Sequence, residues 1–280
     1  RDIAEILVQI GLQFGSVLWQ RAFWYDRMTL AHAALNAADL LSDWKSVSTF
    51  ARNISWIYFY QGDYLRALRW AEEALSATTI TEDKLLIAAA KRSLGTVELR
   101  LGNFDRSRAL LMDVLKTSEE FPKDDYGIYS MGFAQYGLGD LEYELGSMEN
   151  ARAWYQKALV TWQDPARKDP IRHISYALNG LGFVELKEKN YAEAERLFKE
   201  GIQSAEEFGR VDELARGQFG LASVYLETDT DLDSALMYVN DSLDSFQRQG
   251  MQHEIRQSQE LLERILETRS RKNQSQTDNG

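Results

Sequence analysis

Residues 181–202 read LGFVELKEKNYAEAERLFKEGI, and this stretch decides the fold. The small residue Gly182 lies in a helical segment that ends at a turn, where Asn190 is a residue type that often precedes a helix. An apolar stripe follows at helical spacing, with Tyr191, Ala194 and Phe198 on one face. The stretch therefore predicts two antiparallel helices joined by a tight turn.

The same pattern returns six times along the chain. The small residue of the first helix recurs about every 40 residues, a spacing typical of a stacked array of repeats rather than of an enzyme with one central pocket. Its positions are Gly15, Ser55, Gly95, Gly139, Gly182 and Ala222. The two longest intervals contain all three prolines, Pro122, Pro165 and Pro170, so the extra residues are predicted to lie in loops between repeats.

The predicted fold is an all-α solenoid of six helix–turn–helix units in one domain, residues 1–268. A further amphipathic helix over residues 252–268, with Leu261 and Ile265 on its apolar face, is predicted to cap the last repeat. Residues 269–280 contain no apolar side chain and are predicted to form a disordered tail. The six units are expected at 2–41, 44–78, 83–120, 126–163, 171–208 and 211–248.

Composition narrows the possible functions. The formal net charge of −11 argues against a nucleic-acid surface and against docking on an anionic membrane. The absence of cysteine excludes a disulfide scaffold and cysteine-ligated zinc. No apolar run approaches the roughly 20 residues of a membrane span, and no signal peptide is visible, so we expect a soluble cytoplasmic protein. Because no phosphate-binding loop, zinc-protease or nucleophile-elbow motif is present, we expect neither enzyme activity nor a cofactor.

The order of residues within each unit resembles the tetratricopeptide repeat. The first helix carries a Leu-Gly pair in three units, at 94–95, 138–139 and 181–182. The residue after the turn is Tyr64 or Tyr191 in two units, and an alanine comes three residues later, at Ala67, Ala151 or Ala194. HEAT and armadillo repeats have a similar period but lack this order. The period of about 40 is similar to that of the long repeats in maltose-regulator-type signal-transduction ATPases, kinesin light chains and Pins-like scaffolds, since the usual repeat has 34 residues. The resemblance implies a right-handed superhelix whose first helices line a concave groove for peptides.

The resemblance also implies which residues face that groove. In tetratricopeptide repeats one face of the first helix, at fixed offsets from the small residue, points inwards. Carried onto this chain, the offsets give the candidate peptide-binding residues Arg52, Asn53, Trp56, Tyr60, Arg92, Thr96, Arg100, Tyr136, Asp140, Tyr143, Asn179 and Phe183.

Three arginines gather on neighbouring repeats of this stripe. Arg52, Arg92 and Arg100 form a candidate anion site, because a guanidinium can hold a carboxylate or a phosphate through two parallel hydrogen bonds. The alternative is that they pair with nearby acids of the chain, such as Glu98 or Asp63.

Aromatic residues and glycines on the stripe each have two interpretations. The aromatics could anchor apolar side chains of a peptide, or pack against neighbouring helices. Gly137, Gly180 and Gly220 lie in mid-helix, where glycine costs roughly 1 kcal/mol relative to alanine. Either a bound backbone approaches them closely, or the repeats pack tightly there. The aromatic set is Trp56, Phe59, Tyr60, Phe133, Tyr136, Tyr143, Tyr176 and Phe183.

Two better-known kinds of site fit poorly. The clamp for chaperone carboxyl termini requires lysine and asparagine where the first repeat has Leu12 and Ser16. Asp229, Asp231 and Asp233 mimic the start of a calcium-binding EF-hand loop, but the glycine that should follow is replaced, and we expect a turn with one extra residue. His32, His173 and His253 fall on different repeats, so no metal site is expected.

We therefore expect a protein–protein interaction module that binds a peptide or a helical segment of a partner in its groove. The alternative is a ligand- or peptide-sensing arm of a larger signalling ATPase or transcription regulator, and a scaffold that uses its convex face is a third possibility. The chain begins at Arg1 inside a helical pattern, so we expect a longer parent protein whose other domains are candidate partners; a trimmed chain is the alternative.

Overall fold

The computed structural model describes residues 1–20, 24–163 and 173–277. The helices of this part are α1 (Asp2–Gln20), α2 (Trp24–Leu40), α3 (Trp44–Tyr60), α4 (Tyr64–Thr78), α5 (Lys84–Arg100), α6 (Phe104–Glu119), α7 (Asp125–Glu144), α8 (Met148–Trp162), α9 (Ile174–Lys187), α10 (Tyr191–Glu207), α11 (Val211–Thr228), α12 (Leu232–Arg248) and α13 (Gln252–Thr277). The predicted all-α solenoid of six hairpins with a further C-terminal helix is confirmed. No helix in the described ranges combines the length and the apolar character needed to span a membrane.

The helices form two layers. Each first helix packs against the second helix of its own hairpin, and it also contacts the first helix of the next hairpin, from α3 through α5, α7 and α9 to α11. Because the first helices stay in contact from one repeat to the next, their layer is the inner side of the curved array. The second helices, α2 to α12, form the outer layer.

The second helices insert large side chains between glycines of successive first helices. A Cβ atom at Gly139 would lie 2.6 Å from the Tyr155 ring, and one at Gly180 would lie 2.7 Å from the same ring. The same two-sided contact recurs for Leu111 with Gly95 and Gly137, and for Phe198 with Gly182 and Gly220. Close packing between repeats therefore accounts for Gly180 and Gly220, and the alternative of a bound backbone approaching these two is wrong. At Gly137 a Cβ atom would lie 3.1 Å from Leu111, which is a looser contact.

The turns inside the hairpins follow the expected chemistry only in part. Gly62 adopts a φ of 75°, and Asp63 then caps α4 by accepting a hydrogen bond from the backbone N–H of Arg66 at 3.0 Å. Asn103 occupies the same place before α6 but makes no capping bond. Its amide donates instead to Glu98 Oε2 at 2.7 Å, so this asparagine satisfies a buried carboxylate of the preceding helix.

Asn190 repeats this arrangement two hairpins later, donating to Glu185 Oε2 at 2.8 Å. Arginines of the second helices complete the set: Arg106 lies 2.6 Å from Glu98 and Arg152 lies 2.8 Å from Glu185. The turn, the end of the first helix and a second helix are thus tied together by one buried carboxylate in each case. Ser147 occupies the same place before α8 and makes no capping bond either.

The last helix is longer than the sequence suggests. Leu261 and Ile265 are buried as predicted for a cap, but α13 continues to Thr277, so the prediction of disorder is wrong for residues 269–277. Arg269 lies 2.9 Å from Asp233, and Lys272 lies 2.6 Å from Asp229; these ion pairs tie the additional turns to the loop before α12 and to its first turn. Residues 278–280 lie outside the described residues, as do Pro165 and Pro170; Pro122 lies in the loop between α6 and α7.

The array closes on itself. Tyr60, at the end of α3, packs against the buried cluster of Ala215, Phe246 and Met251 from the far end of the chain. A Cβ atom at Gly62 would lie 3.6 Å from the Cβ of Gln252, the first residue of α13. The second hairpin and the last helix therefore meet across the inner side of the solenoid.

Candidate functional site

A cavity of about 380 Å³ lies where the inner faces of the first helices converge. Tyr60 and Met251, which belong to the closing contact between α3 and α13, both line it, so the closure forms part of its wall. The lining residues are Arg27, Arg52, Asn53, Trp56, Phe59, Tyr60, Arg92, Thr96, Leu99, Arg100, Tyr126, Tyr129, Phe133, Tyr136, Gly137, Asp140, His173, Tyr176, Arg210, Asp212, Glu213, Arg216, Met251 and Glu254.

Nine of the twelve candidate residues meet in this cavity. They come from α3, α5 and α7, and they are Arg52, Asn53, Trp56, Tyr60, Arg92, Thr96, Arg100, Tyr136 and Asp140. Tyr143 and Phe183 line an adjoining cavity of about 240 Å³ instead. The predicted stripe thus divides between two neighbouring cavities, which share the lining residues Arg100, Asp140, Arg216 and Glu254.

Asn179 is not a groove residue, and the prediction is wrong at this position. Its side chain is almost fully buried, and its amide donates to the backbone carbonyl of Glu213 at 2.9 Å and to Glu213 Oε2 at 2.8 Å. The asparagine therefore links α9 to α11 from behind the cavity wall. It positions Glu213, which does line the cavity.

The stripe aromatics serve both of the roles that the sequence left open. Six of the eight line the main cavity: Trp56, Phe59, Tyr60, Phe133, Tyr136 and Tyr176. They also pack edge to face with one another, as Trp56 does with Phe59 at 5.2 Å and Phe133 with Tyr176 at 5.3 Å between ring centroids. Because the rings hold each other in place, the apolar part of the wall is rigid.

The wall formed by α11 carries arginines that are already paired. Arg210 lies 3.0 Å from Asp212, whose Oδ2 also accepts a hydrogen bond from the Tyr176 hydroxyl at 2.7 Å. Arg216 lies 3.8 Å from Glu213 on the same helix. We call these residues of α11, with Tyr176, the paired wall.

A second wall, formed by α3, α5 and the start of α7, holds arginines on aromatic rings. The Arg92 guanidinium lies over Tyr129 and Phe133, 5.3 and 5.0 Å from their ring centroids. Arg52 donates to the Tyr126 hydroxyl at 3.0 Å. We call this side the aromatic wall.

Neither arginine of the aromatic wall has an acidic partner within the described part of the chain. The acids that the sequence suggested are engaged elsewhere: Glu98 with Arg106 and Asn103, and Asp63 with Arg66. Arg100 differs, because it lies 3.4 Å from Glu144 at the rim. The candidate anion site therefore reduces from three arginines to Arg52 and Arg92.

Burial changes the proton affinity of two acids between the walls. Burial raises the pKa of Asp140, against the attraction of Arg216 and Arg100, and its Oδ1 accepts a hydrogen bond from the Tyr155 hydroxyl at 2.7 Å. Burial likewise raises the pKa of Glu213 from 4.5 to about 7, although Arg216 opposes this shift. Glu213 therefore changes its charge near neutral pH.

Several lining residues were missed by the sequence analysis. Tyr126, Tyr129 and Glu213 lie on first helices, one or two turns before the predicted stripe, and Arg216 lies on the stripe of the sixth repeat, to which the offsets were not applied. Extending the spacing of three and four residues toward each helix start would have found them. Arg27 and Glu254 come from α2 and α13, and no local sequence signal places them there.

The acids that mimic a calcium loop are used in other ways. Asp229 ends α11 in a left-handed conformation with a φ of 53°, and Asp231 caps α12 by accepting from the backbone N–H of Ser234 at 2.9 Å. Asp233 and Asp229 also form the ion pairs with α13. Throughout the ranges that the structure describes, no group of three or more histidines and acids is arranged to hold a metal ion.

Comparison with known families agrees with this architecture. One family model, described as tetratricopeptide repeat, matches residues 46–120 and 173–248, and a second with the same description matches residues 92–170. The chain belongs to the tetratricopeptide-repeat family. No curated protein matches it significantly.

Solved structures of other proteins share the fold at low identity. The Rap protein in complex with competence and sporulation factor has a TM-score of 0.67 at 15% identity, over 94% of this chain and 75% of that one. The Rap conjugation gene regulator of plasmid pLS20, in complex with a Phr peptide, has a TM-score of 0.67 at 14% identity, over 94% and 74% of the two chains. A signal-transduction ATPase with numerous domains and a tetratricopeptide repeat sensor, from Pyrococcus horikoshii, has a TM-score of 0.58 at 16% identity, over 94% and 37%.

Proposed function

We propose that this tetratricopeptide-repeat protein binds a short peptide in the cavity between its aromatic and paired walls. The observation that carries the proposal is the cavity itself: about 380 Å³, on the inner face of the repeats, lined by six stripe aromatics and six arginines. Pockets of roughly 300–1,000 Å³ suit ligands of small-molecule size. Aromatic residues and arginine are also the residue types that contribute most to binding at interfaces.

The size of the cavity favours a short segment over a long partner helix. A helix of three turns is about 16 Å long and about 10 Å across, so it needs on the order of 1,200 Å³. The cavity holds about 380 Å³. A few residues of peptide fit, with side chains against the rings of Trp56 and Phe133.

Two of the structural neighbours add support. The plasmid-encoded Rap regulator was solved with a Phr peptide, and another Rap protein with competence and sporulation factor. At 14–15% identity these proteins share the fold with this chain, so they supply a precedent for peptide binding on this architecture.

The test fills the cavity without changing the charge. Thr96 lines the cavity and donates its hydroxyl to the backbone carbonyl of Arg92; Thr268 on α13 makes the same bond to Arg264, outside the cavity. We expect Thr96→Trp to retain less than about a tenth of the peptides that the unmodified protein retains, and Thr268→Trp to retain them all. The measurement is equilibrium dialysis of the full chain against a pool of random pentapeptides, read by mass spectrometry.

The control for folding is the melting temperature, which both tryptophan variants should keep within a few degrees. Failure of the unmodified protein to retain any pentapeptide, or equal retention by Thr96→Trp, would overturn the proposal.

A second candidate function, a peptide-sensing regulatory arm, is favoured by the closing contact. Tyr60 and Met251 join the two ends of the array and also line the cavity, so a ligand that contacts them would change how tightly the array closes. We expect a retained pentapeptide to slow hydrogen exchange in the first turns of α13. Unchanged exchange there, with the peptide bound, would rule out this coupling.

A further inference from the structure

The aromatic wall contains a buried positive charge with no counter-ion. The side chain of Arg92 is only 7% exposed, and its Nε is shielded from solvent without a hydrogen-bond partner. No carboxylate in the described ranges forms an ion pair with it, and its guanidinium contacts the faces of Tyr129 and Phe133. A guanidinium has five N–H donors, so the hydrogen-bonding capacity of this group is largely unused.

Burying such a guanidinium costs free energy unless another group supplies hydrogen-bond acceptors or negative charge. Burying an unpaired charge is strongly unfavourable, and cation–π contacts return only part of that cost. The rings also fix the plane of the guanidinium, which leaves its N–H groups oriented before any ligand arrives. Preorganised donors of this kind are a property of binding sites rather than of solvated surfaces.

Arg52 adds a second positive charge to the same patch through a continuous chain of contacts. It donates to the Tyr126 hydroxyl, and the Tyr126 ring stacks on Tyr129 at 5.6 Å between centroids. Tyr129 in turn lies under Arg92. Two guanidinium groups without acidic partners therefore contact the same stacked pair of tyrosine rings, in a chain whose net charge is −11.

We propose that Arg52 and Arg92 form a subsite for a carboxylate of the ligand, either the carboxyl terminus of a peptide or an acidic side chain. This inference deepens the proposed function and rests on it. A carboxylate fits the planar fork of arginine through two parallel hydrogen bonds. A phosphate, with a charge of about −1.5 to −2, would suffer more repulsion from Asp212 and Glu254, which line the same cavity.

The orientation of the ligand follows. Its carboxylate lies at the aromatic wall, and its apolar body extends over Phe133 and Tyr136 toward the paired wall, whose arginines already have acidic partners in Asp212 and Glu213. The subsite therefore selects for one negative charge at one end of the ligand.

The experiment uses a matched pair of probes that differ only in this charge. N-acetyl-L-phenylalanine carries a carboxylate beside an aromatic ring, and N-acetyl-L-phenylalaninamide replaces that carboxylate with a neutral amide. Inorganic phosphate is the third probe. Binding to the full chain, labelled with ¹⁵N-arginine, is followed by NMR through the Nε–H signals of the arginines.

We expect the carboxylate probe to shift the Nε–H signal of Arg92 and to bind at least about tenfold more tightly than the amide, since a hydrogen bond to a charged group contributes about 1.5–3 kcal/mol. Arg92→Gln and Arg52→Gln should each remove most of this preference. Arg66→Gln is the matched control: Arg66 also lies over a tyrosine ring, that of Tyr58 at 5.5 Å, but outside the cavity. It should bind the probe as the unmodified protein does.

Each outcome decides the inference. Equal binding of acid and amide, tighter binding of phosphate, or an unchanged preference in both glutamine variants would overturn the carboxylate subsite. If the carboxylate probe binds through Arg92 while no pentapeptide is retained, the subsite stands and the peptide function fails. Pentapeptide pools then show whether the carboxylate comes from the peptide terminus or from an acidic side chain. The pools have free or amidated carboxyl termini, each with and without aspartate and glutamate. Loss of retention on amidation indicates the terminus, and loss of retention without acidic residues indicates a side chain.

Discussion

The two walls of the cavity carry arginine for different purposes. On the paired wall, Arg210 lies 3.0 Å from Asp212 and Arg216 lies 3.8 Å from Glu213, so both have an acidic partner inside the fold. On the aromatic wall, Arg92 and Arg52 face tyrosine and phenylalanine, which attract a cation but do not neutralise it. The difference teaches that a charged residue in a groove indicates a ligand only when the fold itself leaves it uncompensated.

The largest expected effect comes from breaking the paired wall. Asp212→Ala removes the acceptor shared by Arg210 and the Tyr176 hydroxyl, which leaves a largely buried cation without its partner. Breaking a buried pair costs about 3–5 kcal/mol of unfolding free energy. Arg92→Ala on the aromatic wall loses cation–π contacts but also removes an uncompensated charge, so we expect a change below about 1 kcal/mol. Urea unfolding at pH 7 measures both.

Asp212→Asn keeps an acceptor oxygen but no charge, so its loss of unfolding free energy should lie between those of Asp212→Ala and Arg92→Ala. A cost for Arg92→Ala as large as that for Asp212→Ala would contradict the comparison, because it would mean that the fold itself depends on Arg92.

The next effect concerns pH. The pKa of Glu213 is about 7 in the folded chain, against an ordinary value of 4.5, so the folded state holds this proton more tightly than the unfolded state. The stability that protonated Glu213 contributes is complete below about pH 4.5 and is lost as pH rises through 7. Glu213→Gln cannot ionise, so its unfolding free energy relative to the unmodified protein should rise by on the order of 3 kcal/mol between pH 4.5 and pH 8.

Urea unfolding of both proteins at pH 5, 6, 7 and 8 provides the comparison. Burial raises the pKa of Asp140 and lowers that of His253, but both groups are common to the two proteins, so their effects cancel in the difference. If the unfolding free energies of the two proteins change with pH in parallel, Glu213 is not desolvated in the folded chain.

The sequence predicted the aromatic wall better than the paired wall, for a physical reason. Arg52, Arg92 and Tyr136 lie on helices whose inward face repeats every three or four residues, so a local pattern is enough to find them. Pairing is not local: whether Arg100 meets Glu144 or an acid of its own repeat depends on how two hairpins stack. The same limit explains why Asn179, which lies on the expected face of α9, is buried and donates a hydrogen bond to Glu213 instead of lining the cavity.

The ends of the array show this limit most clearly. Residues 269–277 lack apolar side chains, and the sequence therefore predicts disorder, yet Arg269 and Lys272 find acids near the start of α12 and the helix continues. The contact of Tyr60 with the cluster around Met251 joins positions almost 200 residues apart. It follows from the accumulated curvature of five hairpins, a quantity to which every repeat contributes and which no single motif records.

The smallest predicted effect comes from a substitution that removes the acidic partner of one arginine of the cavity. Arg100 lies between the two cases, 3.4 Å from Glu144 at the rim, with side-chain exposures of 22% and 46%. Such a partly exposed pair contributes about 0–1 kcal/mol, so Glu144→Gln should leave the melting temperature nearly unchanged. It would, however, leave Arg100 as a third uncompensated guanidinium facing the cavity. We expect N-acetyl-L-phenylalanine to bind about two- to threefold more tightly to this variant, because a partly screened charge contributes on the order of 0.5 kcal/mol. The gain in affinity should vanish in 0.5 M salt. Equal affinity of the variant and the unmodified protein at low salt would show that only the arginines of the aromatic wall act on the ligand.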